Sequence, residues 1–377
     1  MRVLFLHRQP CIRAMKYALG LSGREEDVAL GFAYQGLTLT ELYGSGDDLF
    51  EGWWRLPARD PGDALARAVD EFRPDLIHSH NLPDLLTVVA LGVVGDSVPV
   101  IHDVHDMQSL RQTPYEDGFD DPEDPAELER AAIEGCSGLI AVSVQMLAEI
   151  EARHDVAAPA LLFANYALER DLAAAAGPRG PRRPAGPPRT VYQGSLSANG
   201  SHYDLRAQFA AIAASGVEID VFPNRDAPAY RELAARTPGL RIMETLEPAA
   251  LLRRLPEYDV GWAAFNTGLN SAHLDTALPN KAFEYLASGL PVAAGPHRAL
   301  RRLVEDEGVG FVVTNAGDLG AMLARLDLDR MRTRVAERRH RFTVEGHVGD
   351  LVAFYGDVVE GAGGGTGRAP ARLHSGG

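Results

Sequence analysis

Only two cysteines, Cys11 and Cys136, occur in 377 residues. Two thiols make neither a disulfide framework nor a four-cysteine zinc site, so the expected location is a reducing cytoplasm. Lysine is equally scarce: of 37 basic residues, only Lys16 and Lys281 are lysines. No segment approaches the roughly 20 apolar residues that a membrane-spanning helix needs. The opening MRVLFLHRQP ends its apolar run after six positions, too short for a secretory leader, and reads as a buried first strand. Positive charge is also in deficit. The formal net charge is −15, and an acidic run extends over Glu116–Glu129. This argues against a nucleic-acid partner and against stable association with an anionic membrane, since both reward clustered Lys and Arg. The acidic run reads as a solvated loop leading into a helix.

The composition that remains is 46% hydrophobic and 24% charged, enough for two well-buried cores at this length. Apolar runs at 3–6, 28–34, 75–80, 98–105 and 138–143 alternate with helical stretches. After a Pro- and Gly-rich stretch the alternation restarts at 189–195, 218–223, 240–244, 258–265, 291–295 and 309–313. Val-, Ile- and Leu-rich strands alternating with helices predict an α/β protein of two Rossmann-like, doubly wound parallel-sheet domains, with a ligand cleft between them. The boundaries expected are a first domain over 1–172, a linker over 173–188 and a second domain over 189–345. A helix over 346–360 is expected to return to the first domain, ahead of a disordered tail, 361–377.

The segment richest in chemistry is LPNKAFEYLASGLPVAAG, residues 278–295. Pro279 suits a first helical turn, and Asn280 to Ala282 would then present backbone N–H groups at a helix start, a ready anion site. Lys281 adds a point charge in a chain that otherwise writes its cations as arginine. Glu284, one turn on, has the chemistry to accept hydrogen bonds from a ribose diol. An ordinary amphipathic helix with Phe283, Tyr285 and Leu286 in the core fits the same periodicity.

This segment resembles the donor-site motif of glycosyltransferase family 4, in the branch reading ALPNK-FEY. In family order, RPDLIHSHNLPDLLTVVAL, PVIHDVHDM, GLIAVS, FAN, VYQGSL and LLRRLPEYDVGWAAF resemble further family segments. The resemblance implies a GT-B fold and a retaining transfer of sugar from a nucleotide-diphosphate donor, UDP- or GDP-linked. It implies no cofactor and no metal. It gives Glu284 the donor ribose, Asn280 and Lys281 the diphosphate, and Gly194 with Ser195 the glycine turn on the other side of the phosphates. His105 matches a first-domain histidine that reaches the transferred sugar. The catalytic set implied is therefore His105, Lys281 and Glu284, and Leu278 and Pro279 complete the donor motif.

Departures from the family pattern are concrete. Ser195 and, approximately, His202 stand where many members carry an Arg and a Lys that clasp the diphosphate. That load falls on helix N–H groups, Lys281 and Arg225. Thr276 stands at the place of the usual first glutamate, eight residues before Glu284, with Asp275 adjacent as a substitute. HRQPCIRAMK replaces the family's double-glycine loop after the first strand.

Other constellations carry less. His78, His80, His102 and His105 sit at two- and three-residue spacing near strand ends, but no cysteine or glutamate cluster completes a metal site. Cys11 has no visible charge partner. GVGF and GAGGG do not fit a dinucleotide-binding turn. The resulting expectation is a sugar transferase with a nucleotide-sugar and a small polar acceptor, a cationic one being favoured by the negative charge, in bacterial specialised metabolism. Envelope polysaccharide synthesis, a nucleotide-sugar epimerase or pseudo-glycosyltransferase, and an inactive binding subunit are the alternatives on the same fold.

Overall fold

The computed structural model describes residues 1–24, 28–113, 123–169, 186–363 and 373–374. Internal contacts divide the chain into two units, Met1–Ala164 with His347–Gly377, and Asn165–Gly346.

In the first unit the strands are β1 (Arg2–His7), β2 (Ala29–Tyr34), β3 (Gly52–Arg55), β4 (Leu76–His80), β5 (Val100–Val104), β6 (Gly138–Ala141) and β7 (Ala160–Leu162). They pair in parallel in the order β7-β6-β5-β4-β1-β2-β3, with Leu373–His374 added beside β7. On β1, Val3, Leu4, Phe5 and Leu6 are all fully buried, as a parallel strand covered on both faces requires, whereas the central β4 and β5 also bury the polar His78, Ser79, His80, His102 and Asp103. Two helix starts are set locally: Asp124 caps the helix Pro125–Gly135 at Glu127 N, and Ser143 caps Val144–Arg153 at Met146 N. The short strands β3 and β7 are absent from the periodicity reading. Four and three residues give period-2 alternation nothing to register.

The second unit contains β8 (Arg189–Gly194), β9 (Glu218–Pro223), β10 (Leu240–Ile242), β11 (Val260–Ala263), β12 (Val292–Ala294) and β13 (Gly310–Val312). Their order is β10-β9-β8-β11-β12-β13, all parallel. In both units the order reverses beside the first strand, between β1 and β4 and between β8 and β11, which is the doubly wound pattern. Tyr192, Phe209, Tyr230 and Trp262 anchor the core of this unit. The helix Leu328–Arg338 escapes the sequence reading because its face to the core is narrow: only Leu328 and Val335 are buried among many arginines.

Two expected boundaries move. The chain enters the second unit at Asn165, not after residue 172. Ala167 N donates to Phe342 O at 3.0 Å, and Val344 N donates to Ala167 O at 2.8 Å, so backbone pairing holds the segment from 165 to that unit. Most of the 173–188 linker lies outside the described residues. The last helix spans Val348–Gly363 and groups with the first unit; Leu351, Phe354, Tyr355 and Val358 on it are buried. It and the Leu373–His374 pairing occupy part of what the composition reads as a disordered tail. The acidic run over 116–122 also lies outside the described residues. Its far end is not solvated: Glu129 is buried and accepts hydrogen bonds from Ser109 N (3.0 Å) and Oγ (2.7 Å).

Candidate functional site

The site forms in the second unit where β8 ends beside the helix Asn280–Ala287. Pro279 stands one residue outside that helix, capping it with extended backbone (φ −75°, ψ 147°) in place of the first-turn position expected for it. Ala282 N donates to Pro279 O at 3.1 Å, so Ala282 drops out of the helix start expected to face an anion.

Lys281 is buried, and its Nζ donates to Tyr192 Oη at 3.0 Å. Three rings surround the same nitrogen, Tyr192 at 4.3 Å, Phe265 at 5.5 Å and Tyr203 at 5.7 Å from their centroids. Burial pushes its pKa down to about 7, with Glu284 pulling the other way. Gly194 closes the approach from β8. Its φ of +122° is a glycine conformation, and a Cβ there would lie 3.4 Å from Lys281 Cε and 3.6 Å from Nζ. The Gly194 turn and the single lysine of this unit thus lie side by side.

Glu284 is half-buried on the next turn and accepts a short hydrogen bond from Gln193 Nε2. Tyr285 Oη accepts from Gln193 N at 3.0 Å. Ser195 Oγ accepts from Asn224 Nδ2 at 3.1 Å. The structure therefore brings Gly194, Ser195, Asn280, Lys281 and Glu284 onto one strand end and one helix.

The remaining donor-motif residues are occupied otherwise. Asp275 receives Arg298 N and Nε, both at 3.2 Å, and faces His297 Nδ1 at 3.4 Å. Thr276 is fully buried and donates to His273 O at 2.8 Å. The Leu278 carbonyl accepts from Asn165 Nδ2 at 2.8 Å. Arg225 is exposed on the loop after β9. His202 is buried beside Tyr203, ring centroids 4.2 Å apart, with its Nδ1 3.1 Å from Asn270 Nδ2; it backs the aromatic cage. Gln193, Tyr192, Tyr203 and Phe265 escaped the sequence reading. Tyr192 sits in a strand read for its apolarity, Tyr203 and Phe265 lie in connecting segments, and only a polar Gln inside RTVYQGS marks the place.

The first unit gathers a separate polar cluster at its strand ends. Asp103 is fully buried and takes Arg13 in a two-point pair, Nε to Oδ2 at 2.9 Å and Nη2 to Oδ1 at 2.8 Å. Arg13 also donates to Phe163 O at 2.7 Å and to Tyr17 Oη at 2.6 Å. His80 Nδ1 lies 3.2 Å from Asp103 Oδ2, and His78 Nδ1 shares a 2.6 Å hydrogen bond with Tyr355 Oη. The two rings stack at 4.3 Å, as alternation on β4 requires. Burial works to raise the Asp103 carboxyl, but Arg13 and the two histidines hold it well below the carboxylate range. Burial, with the neighbouring His78, depresses His80 to about 4.

His78, His80 and Asp103 offer ligand atoms within 4.8 Å of one another, the spacing of a metal site. Both Asp103 oxygens already hold the Arg13 guanidinium, which a divalent cation would have to displace, so the set fits a buried charge network better than a metal centre. His105 is half-buried just beyond β5; its N–H donates to Asn81 Oδ1 at 3.1 Å, and burial lowers its pKa. Its ring sits 6.3 Å from that of His7. His105 thus belongs to the first unit, and Lys281 and Glu284 to the second.

Residues 24–165 match the family model described as glycosyl transferase 4-like domain. Among solved structures, sucrose-phosphate synthase from Thermosynechococcus elongatus is 14% identical, with a TM-score of 0.66 over 96% of this chain and 99% of that one. Anabaena Alr3699/HepE, solved in complex with UDP-glucose, is 14% identical at a TM-score of 0.63, over 94% and 99%. A putative UDP-N-acetylglucosamine 2-epimerase from Listeria monocytogenes is 13% identical at 0.61, over 98% and 99%. At these identities the likeness is one of fold. No curated protein matches by sequence. The family match thus lies over residues 24–165, and the two doubly wound units share the GT-B fold of these solved structures.

Proposed function

We propose that this chain transfers a hexose-type sugar from a UDP-sugar to a small polar acceptor with retention of anomeric configuration. The donor diphosphate sits at the start of the helix Asn280–Ala287, against Lys281 and the Gly194 turn, and the ribose hydroxyls bind Glu284. The observation that carries this reading is the direct approach of Gly194 to Lys281, one turn before a carboxylate, at a strand end next to the reversal of strand order. UDP as the nucleotide is supported by the Anabaena structures with UDP-glucose and with UDP.

In the proposed step the acceptor oxygen bonds to the anomeric carbon as the bond to the phosphate oxygen breaks. The acceptor proton passes to the departing phosphate, so no enzymic nucleophile is required. Protein groups contribute position and charge: Lys281, as ammonium, and the helix start stabilise the leaving diphosphate. His105 is assigned to the transferred sugar and tested by His105→Ala, which should lower turnover more than nucleotide affinity. The reading calls on no metal ion. A cytoplasmic location and a cationic acceptor such as an aminocyclitol, drawn by the net charge of −15, belong to the same proposal.

A second reading, sugar epimerisation on the nucleotide, is favoured by the Listeria structural neighbour and by the buried histidines of the first unit. Thermal shift with UDP, GDP and ADP, followed by mass spectrometry with a donor panel, tests both. A ligand at 100 times its dissociation constant adds about 2.7 kcal/mol. Stabilisation by UDP and acceptor-dependent transfer are expected; epimerised UDP-sugar without any acceptor decides for the second reading, and no response to any nucleotide overturns both.

A further inference from the structure

We infer that Gln193 is a positioning residue that sets the preference of the donor site for ribose over deoxyribose; the inference rests on the donor-site reading above. Gln193 is the penultimate residue of β8 and is buried at 5% exposure. Its neighbours on the strand, Val191 and Tyr192, are core residues. An amide at such a position is costly unless its polar atoms are satisfied, and here only half of it is. Nε2 donates to Glu284 Oε2, whereas Oε1 is buried with no hydrogen-bond partner. An apolar side chain of the same size would fill the space without that cost. The one return from the amide is its grip on Glu284.

That grip is registered by the backbone. Gln193 N donates to Tyr285 Oη at 3.0 Å, and the same hydroxyl lies 3.3 Å from Val191 O. Strand and helix are therefore cross-linked at consecutive helix residues, one through the backbone of Gln193 and one through its side chain. A glutamate side chain has several soft torsions, and at a half-buried helix position they are restrained little by packing. A donor on Oε2 fixes the plane of the carboxylate, so a sugar diol meets preset acceptors and does not have to order them. Among nucleotides, the class that uses this is the ribonucleoside diphosphates.

The test is calorimetry of UDP, 2′-deoxy-UDP and 3′-deoxy-UDP on the wild type and on Gln193→Met, which keeps the volume and loses the donor. The wild type should prefer UDP by about 10-fold or more over at least one deoxy analogue, the scale of a charged hydrogen bond. Gln193→Met should bring that preference below about 3-fold while leaving affinity for that deoxy analogue unchanged; donor KM should rise, with kcat at saturation held within about 2-fold. A purely structural role would weaken all three nucleotides alike, and that result, or full discrimination in the variant, overturns the inference alone. If Gln193→Met does not fold, Gln193→Asn replaces it, with partial loss of discrimination expected and full discrimination again overturning. A wild type indifferent to ribose hydroxyls overturns the donor-site reading together with the inference.

Discussion

Glu284 and Lys281 lie one helical turn apart yet call for opposite measurements. Glu284 is half-buried and held by Gln193, so Glu284→Gln keeps the fold and loses charge towards the ribose. Its donor affinity should fall by the equivalent of about 1.5–3 kcal/mol with an unchanged melting temperature; unchanged donor KM in the folded variant contradicts the site. Lys281 is caged by rings, and burial takes its pKa down to about 7. Between that value and the ordinary lysine pKa of about 10.4, the unfolded chain binds more protons than the folded one, so this group makes stability rise with pH across that window. Lys281→Met should therefore stabilise the free protein, most at or below pH 7 and progressively less towards pH 10, as read from urea midpoints. Donor binding has the reverse dependence. A diphosphate restores the ammonium, so binding takes up a proton and wild-type affinity for UDP-glucose should fall about tenfold per pH unit above 7. Titration calorimetry in buffers of different ionisation enthalpy reads that proton directly, and Lys281→Met should bind weakly and without the slope.

Elements meet at the site through small residues. β11 passes so close to the helix Asn280–Ala287 that a Cβ on Gly261 would sit 2.2 Å from the Tyr285 ring. Gly261→Ala must push Tyr285 aside, and with it the hydroxyl that holds Gln193 N. The expected result is a stability loss of about 1–3 kcal/mol with weaker donor binding, and denaturant unfolding together with UDP titration checks both. In the first unit, Asp103 ties the helix Ile12–Ser22 to β4 and β5 through Arg13, His78 and His80. Removing its charge leaves a buried guanidinium uncompensated. Asp103→Asn should cost about 3–5 kcal/mol, seen as a lower denaturant midpoint. Because the carboxyl is held below its ordinary pKa, the wild-type contribution is present above that ordinary value and is lost only as the pH falls through the depressed one.

Over the whole molecule, charge selects the partners. With a net charge of −15, and with no helix among the described residues long and apolar enough to cross a membrane, an anionic bilayer should repel the chain. Basic residues near such a surface contribute about 1 kcal/mol each, and before residue 165 the sequence has no basic cluster to supply them. Flotation with anionic liposomes at physiological salt should leave the protein unbound; recovery with the vesicles contradicts the soluble-acceptor proposal.

The sequence by itself determined the alternation of strand and helix, because buried parallel strands must be apolar on both faces and so stand out as runs. It also located the helix Asn280–Ala287 that follows Pro279, because a proline, an isolated lysine and a spaced glutamate are legible without coordinates. Short edge strands such as β3 and the arginine-rich helix Leu328–Arg338 carried too little periodic signal to be read. Only the tertiary structure decided which polar residues were already spent, Thr276 on His273, Asp275 on Arg298 and His297, Asp103 on Arg13. It alone assembled the aromatic cage of Lys281 from Tyr192, Tyr203 and Phe265. Those partners are separated by tens of residues, and local patterning records how a segment folds, not what a distant strand end brings beside it.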